Sequence, residues 1–586
     1  MAKDPIRIAN CSGFFGDRLS AAREMVEGGP IDVLTGDWLA ELTMLILART
    51  RIKHPGRGFA RTFVTQMEQV MGTCLDRGIK VVSNAGGLDP DGCAEAVAEV
   101  GAKLGLHPKV AYVRGDDLLP RMDALIAADQ LIHFETGEPI KDASAFLTAN
   151  AYLGCWGIVD ALEQGADIVI TGRATDAAVV CGPAAWHHGW RRDDWDALAG
   201  AVVAGHVIEC STQATGGNYS FFQEVPGMER VGFPFAEIAA DGSSVIGKHE
   251  GTGGAVSVGT VTSQLLYEIG GPEYLGPDVT TRFDTIELEP QGPDRVRIHG
   301  TRGQPPPATL KVCINRPAGF RNDMSICLTG MDIEAKAKLV EDGFWAACPY
   351  APEDFAYVST RLVRTDREDP ETNEQAVAIL KISAKDPDEQ KVGRAFSNAV
   401  IELALANIPG FFSVGGGPGG GRPFGVMEPA RIPAEIVPQE VVLLGSEPRE
   451  VSSVVSGAPV DVSPKPGPDA AVPGGPTRAL PLGTLYGARS GDKGGNANLG
   501  VFARSDEAWA FLDAFLTTEK LKALLPEAAD LRVDRHRLPA IRSLNFVLHG
   551  LLQEGVAAST RQDPQAKSLG EWLRARVVEL PEALLA

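Results

Sequence analysis

Asp167-Ile168-Val169-Ile170-Thr171-Gly172-Arg173-Ala174-Thr175-Asp176 is the stretch from which the fold can be read. Ile168, Val169 and Ile170 are consecutive β-branched residues, a composition that suits a strand buried on both faces. The run passes into a polar turn with one glycine and then into an apolar segment with helical character. Strand, polar turn and helix in that order is half of a βαβ unit.

The same order recurs upstream. Residues 6–9, 31–34, 79–82 and 109–113 read as strands, with helices expected to about residue 26 and over 38–48, 61–77, 91–104 and 152–164. Five strands thus lead into loops that carry Asn10, Asp37, Asn84, Asp116 and Arg173, each with glycine nearby. In open parallel sheets ligands bind beyond the carboxyl ends of the strands, and these loops would share that edge. An aspartate at a strand-to-helix junction is also a common helix cap or first-turn anion, and that reading stands beside the functional one for Asp17, Asp37 and Asp176.

At 586 residues the chain exceeds a single core. A formal net charge of -21 excludes nucleic acid as the main partner, because phosphate binding needs a basic surface. Met1-Ala2-Lys3-Asp4-Pro5 leads straight into the first strand without an apolar leader, and the longest apolar run, 42–48, is far too short to span a membrane. A cytoplasmic protein is expected. Nine cysteines without a CxxC pair point to reduced, buried thiols, with Cys11 and Cys210 in polar loops as the candidates for reactivity.

From 205 to 276 glycine and threonine increase. Cys210-Ser211-Thr212-Gln213-Ala214-Thr215-Gly216-Gly217-Asn218-Tyr219 lies between apolar Val207-Ile208 and Phe221-Phe222. It is either a loop that lets backbone approach a ligand or a hydrogen-bonded turn. Lys248-His249-Glu250-Gly251-Thr252-Gly253-Gly254, ahead of a helix expected over 263–269, offers backbone N–H groups to an anion, but it lacks the Gly-Lys-Ser/Thr of a Walker loop. His206, Glu209, His249 and Glu250 are metal-hydrolase residue types without a recognised spacing, so no metal site follows from them.

Strands are expected over 286–298, 308–314, 357–363 and 378–382, and helices over 332–342 and 392–406. The loop 413–422 has six glycines, and 456–477 has six prolines and reads as a linker. The expected fold class is therefore α/β, with a largely parallel Rossmann-like sheet and a mixed second layer in a main domain over 1–455. That domain divides at about 204/205. A small α+β domain over 478–586 follows the linker, with strands at 482–486, 499–502 and 543–548 and a helix over 506–516. Its loop Arg489-Ser490-Gly491-Asp492-Lys493-Gly494-Gly495-Asn496-Ala497-Asn498 suits a carboxylate or phosphate, or is an ordinary charged hairpin.

These stretches carry a resemblance. Asn10 to Arg18, Asn84 to Leu88, Gly172 to Pro183, Thr212 to Tyr219, Glu250 to Pro277 and Ser490 to Gly500 are similar to the acyclic terpene utilisation protein A family. The resemblance implies an α/β main domain with a ferredoxin-like tail. It also implies a setting in bacterial clusters that oxidise citronellol and geraniol through acyl-CoA esters, beside a biotin-dependent carboxylase and an enoyl-CoA hydratase.

The expected function is a non-redox enzyme of hydratase, lyase or hydrolase type acting on a carboxylic acid or its coenzyme A thioester. The alternative is a non-catalytic binding or assembly subunit for an acyl-CoA carboxylase. No cofactor is expected, and a homo-oligomer is. Catalytic candidates are Asp37, Asp116 and Asp176 as acid or base, with Gln213 and Asn218 as oxyanion donors. Candidates for substrate binding are the cations Arg173, Lys248, Arg489 and Lys493, the loop side chains Asn10, Ser12, Asn84 and Thr215, and the backbones of Gly216, Gly217, Gly253 and Gly254.

Overall fold

The strands Ile6–Asn10, Val33–Gly36, Lys80–Ser83, Ile168–Thr171 and Val110–Arg114 lie side by side in that spatial order, each parallel to its neighbour. The computed structural model describes residues 3–142, 145–414 and 419–585. Register aligns the carboxyl ends: Asn10 sits opposite Thr35, Gly36 opposite Ser83, Ser83 opposite Ile170 and Thr171 opposite Val113. The five loops that follow therefore leave from one edge.

Alternation explains why the strands are apolar throughout. Ile8, Val33 and Val82 pack into a core with Ile158, Val180 and Leu198, whereas their chain neighbours Ala9, Leu34 and Val81 pack on the opposite face with Met25, Phe63 and Val97. Successive side chains of a strand point to opposite faces, so a strand covered on both sides needs apolar residues at every position.

The expectation of a largely parallel Rossmann-like sheet is corrected. Eleven strands form this sheet, and only the central five are parallel. Pro234–Ile238 adds antiparallel to Ile6–Asn10 and is followed outward by Ser244–Lys248, Arg295–His299 and Glu287–Pro290. Gln439–Leu443 and Arg449–Val451 close the other side, also antiparallel. A legible signal was present in Asp241-Gly242, an Asp-Gly hairpin turn that joins the first two added strands, with Gly242 at φ +82.

The chain divides into two compact units, one of Met1–Asn315, Met427–Val556 and Asp563–Ala586, the other of Arg316–Val426 and Ala557–Gln562. No cut falls near 204/205, and the tail belongs to the first unit except for Ala557–Gln562. The tail's strands Gly487–Lys493, Asn496–Phe502, Ser543–Leu548 and Val533–Leu538 form an antiparallel sheet in that order. The predicted loop 489–498 is thus the turn region of a hairpin, with Gly494 at φ +65, and the expected strand 482–486 is a short 3-10 turn and its exit. The expected linker 456–477 has no regular structure but is held down, since Gln304 Nε2 donates to Val460 O at 2.7 Å, Arg282 Nη1 to Val462 O at 2.7 Å and Lys465 N to Asp284 O at 2.9 Å.

The second unit is a smaller antiparallel assembly. The outer part of the long strand Thr309–Thr329 pairs with Val377–Asp386, which pairs in turn with Tyr357–Val363. Phe344 and Val340 of the helix Ile333–Ala347 pack on Ile326, Leu380 and Ile382 with Phe396. Of the six-glycine loop, residues 415–418 lie outside the described residues.

Candidate functional site

Asp37 follows the second parallel strand and is buried. Its Oδ1 accepts from Leu39 N at 2.9 Å and from Asn84 Nδ2, while Asn84 Oδ1 accepts from Trp38 N at 2.9 Å. Two adjacent strand ends are thereby tied through one amide. Burial pushes the Asp37 carboxyl well above the carboxylate range. Asp176 and Glu209 push the same way, against Arg173 and the Asn84 bond.

Arg173, after Ile168–Thr171, is fully buried. Nη1 donates to Asp176 Oδ1 at 2.8 Å, the backbone N to Asp116 Oδ2 at 2.9 Å, and the guanidinium lies 4.1 Å from the centroid of the Tyr152 ring. Burial alone would lower its pKa, but Tyr152, Asp176, Glu41 and Asp37 outweigh burial and keep the cation. Tyr152 Oη donates to Glu41 Oε1 at 2.6 Å, which also accepts from Lys311 Nζ at 2.9 Å. Burial raises the Glu41 carboxyl, yet Lys311 and Arg173 overcome it and hold the group below the usual range.

Beside this cluster the helix Trp195–Ile208 ends in a buried pair. His206 Nδ1 lies 3.1 Å from Glu209 Oε1. Burial lowers the imidazole to about 4 and raises the Glu209 carboxyl well above its ordinary value. Among the described residues, three buried polar atoms here have no hydrogen-bond partner: Arg173 Nε, Glu209 Oε2 and His206 Nε2. Unmet groups of this kind are costly in a core unless water or another polar group meets them.

The tail supplies the facing wall. Arg489 donates to Gln213 Oε1 and its guanidinium lies 4.2 Å from the Tyr267 ring centroid. Lys493 Nζ donates to Glu268 O at 2.8 Å, and Lys567 Nζ to Glu268 Oε1 at 3.0 Å. Docking is fixed by Asn498 Oδ1, which accepts from Glu268 N at 2.8 Å, and by Ser220, which both donates to and accepts from the Ala488 backbone. Burial, then Lys311, hold the Lys493 ammonium below its usual pKa. Glu41, Lys311 and Lys493 all respond first to burial, yet 31% and 35% of the first two side chains are accessible and Lys493 is exposed. Deep position with accessible surface describes the lining of a recess.

Of the candidates named above, Asp37, Asn84, Arg173, Asp176 and Lys493 are drawn into this neighbourhood, with Gln213 and Arg489 at its edge. Asn10 closes a local turn with Ser12, and Ser12 Oγ donates to Phe14 O at 3.1 Å. Ser211–Thr215 is a 3-10 turn whose Thr215 Oγ1 donates to Gly232 O at 2.6 Å. Gly216 at φ +112 and Gly217 turn the chain, and Asn218, exposed at φ +58, is a left-handed turn residue apart from the cluster. Lys248 pairs with Asp294 at 3.1 Å. A Cβ at Gly253 would stand 2.3 Å from Gly227 O, and one at Gly254 2.4 Å from Thr215 O, so that turn is filled by backbone. Burial first, with Asp17 and Glu209 respectively, pushes Cys11 and Cys210 well above the ordinary thiol, which makes them poor nucleophiles. Among the described residues no three His, Cys, Asp or Glu side chains gather to hold a metal ion.

Asp116 ties two loops together. Its Oδ2 accepts from Asn150 Nδ2 at 2.8 Å and from Arg173 N, and burial pushes its carboxyl from 3.8 to about 7. The native state thus holds a proton that the unfolded chain has released. Stability contributed by this group is full below 3.8 and is lost as pH rises to about 7. In Asp116→Asn, whose carbonyl oxygen can take both donors, urea midpoints should lose that slope of at most about 4 kcal/mol.

The profile of the acyclic terpene utilisation family protein AtuA matches residues 6–443. The chain belongs to this family. The profile of the AtuA ferredoxin-like domain matches residues 480–579, which is the antiparallel tail that walls the recess. No curated protein matches the chain. Among the described residues no helix is long and apolar enough to cross a membrane. Within this AtuA-family chain the neighbouring residues that sequence reading missed are Glu41, Tyr152, Tyr267, Glu268, Lys311 and Lys567, drawn from distant parts of the sequence.

Proposed function

We propose that this AtuA-family chain is a non-redox enzyme of acyclic terpenoid or branched-acid catabolism, acting as a hydratase, lyase or hydrolase on a carboxylic acid or its acyl-CoA ester. The observation that supports it most is the burial that raises the Asp37 carboxyl well above its ordinary value in the field of the fixed Arg173 cation, whose Nε has no hydrogen-bond partner among the described residues. Addition of water to, or its removal from, a carbon near a carbonyl needs a proton donor and a positive group where the oxygen gains charge. We assign Asp37 the first role and Arg173 the second. Lys493 has only the Glu268 carbonyl as hydrogen-bond partner among the described residues, which leaves its ammonium able to take a substrate carboxylate.

Arg173 and Lys493 favour the compact acid end of a substrate over the phosphates of a nucleotide, since Lys248 and Arg489 are already engaged. Purified protein incubated with branched carboxylic acids and their acyl-CoA esters, followed by mass spectrometry, is expected to show a product. Ligands that bind unchanged, with an acyl-CoA carboxylase recovered on co-purification, would replace the enzyme by an assembly subunit.

A further inference from the structure

The helix Val258–Leu265 runs on at its carboxyl end into Tyr267 and Glu268 of the recess, and at its amino end borders a different cavity. A cleft of about 310 Å³ opens there, walled by Val225 and Leu288 of the main fold and by Phe502 and Ile541 of the tail. Those walls are apolar, but the cleft also contains hydrogen-bond donors. Tyr219 is 6% exposed and Thr262 3%; both line the cleft, and neither hydroxyl has a hydrogen-bond partner among the described residues. A Cβ at Gly259 would stand 2.1 Å from Tyr219 Oη, so the phenol lies against the first helical turn.

That turn adds donors. Ser257 Oγ accepts from Thr260 N at 3.2 Å, which leaves the N–H groups of Val258 and Gly259 without an intrahelical acceptor. Charges at the rim cancel, because Arg504 donates to both oxygens of Glu224 and Arg542 pairs with Asp506. Two hydroxyls and two backbone N–H groups at a helix N-terminus, between apolar walls, fit one singly charged acceptor group on an apolar body. A phosphate dianion would need an unpaired cation as well.

We infer that this cleft is a second binding site, for a monocarboxylate with a short apolar chain, its carboxylate on the Tyr219 and Thr262 hydroxyls and the first-turn N–H groups, its chain between Leu288, Phe502 and Ile541. The ligand bridges the main fold and the tail, and so holds in place the hairpin that brings Arg489 and Lys493 to the recess.

Calorimetric titration of the full chain with octanoate tests this. Saturable binding is expected, with octanamide at least about ten-fold weaker. Tyr219→Phe and Thr262→Val should each weaken octanoate about ten-fold without shifting the melting temperature, because neither hydroxyl has a bond to lose. Should one variant fold poorly, the other still reads the site. Lys493→Ala, in the recess, should leave octanoate affinity unchanged. The site is overturned by absence of saturable binding, by equal affinity for octanamide, or by hydroxyl variants that bind as wild type while Lys493→Ala does not.

Discussion

Arg173→Ala is expected to cost the first unit about 3–5 kcal/mol, the range for breaking a buried ion pair from one side. The guanidinium is fully buried, bonded to Asp176, stacked over Tyr152 and one of two cations that hold Glu41 ionised. Its removal leaves carboxylates in the interior with Lys311 as the main remaining counter-charge, and empties the space over the Tyr152 ring. Arg173→Lys retains the charge but loses the planar guanidinium over the Tyr152 ring, so it should fall between wild type and alanine. Urea denaturation followed by circular dichroism gives the measurement. An alanine variant within about 0.5 kcal/mol of wild type would mean that the interior tolerates these charges through water, and the case for a dry, preorganised cation at this edge would collapse.

How much of this was legible in the sequence depended on whether the signal was local. The five parallel strands were readable because burial on both faces forces runs such as Ile168-Val169-Ile170, and the loops after them could be placed on one edge by topology alone. Asp37, Asn84, Arg173 and Asp176 were found that way. Of the flanking antiparallel strands, the pair within 286–298 was expected, whereas Pro234–Ile238 and Ser244–Lys248 were missed because they carry mixed residues, Pro-Phe-Ala-Glu-Ile and Ser-Val-Ile-Gly-Lys, that satisfy no single period. Asn218, Gly253 and Gly254 misled for a specific reason: polar and glycine residues that turn a chain have the same composition as those that cradle a ligand, and only the observed φ and the packed carbonyls separate the two. Glu41, Lys311 and Glu268 had no local mark at all. They come from a helix start, a strand and a helix exit more than two hundred residues apart in part, and their chemistry arises from proximity.

Asp37→Asn is expected to reduce turnover by about 10²–10⁴-fold, the usual contribution of a positioned acid or base, while leaving the fold intact. The asparagine oxygen can still accept from Leu39 N and Asn84 Nδ2, so the tie between the two strand ends survives. Stability should move the other way from activity. Burial holds the Asp37 carboxyl protonated above its ordinary 3.8, so its contribution to stability is full below that value and is lost as pH rises through the raised one. The neutral amide removes this dependence, and the variant should be as stable as wild type in acid and at least as stable at neutral pH. In wild type, activity that needs the protonated acid declines as pH rises through the same group, and in the variant that limb should be missing from whatever turnover remains. A melting temperature held or raised, together with collapsed turnover and a flattened pH profile, identifies Asp37 as the proton donor of the recess. Retained turnover with an unchanged profile would transfer that role to Glu209, the other carboxyl of this site that burial pushes well above its ordinary value and the one whose Oε2 has no partner among the described residues.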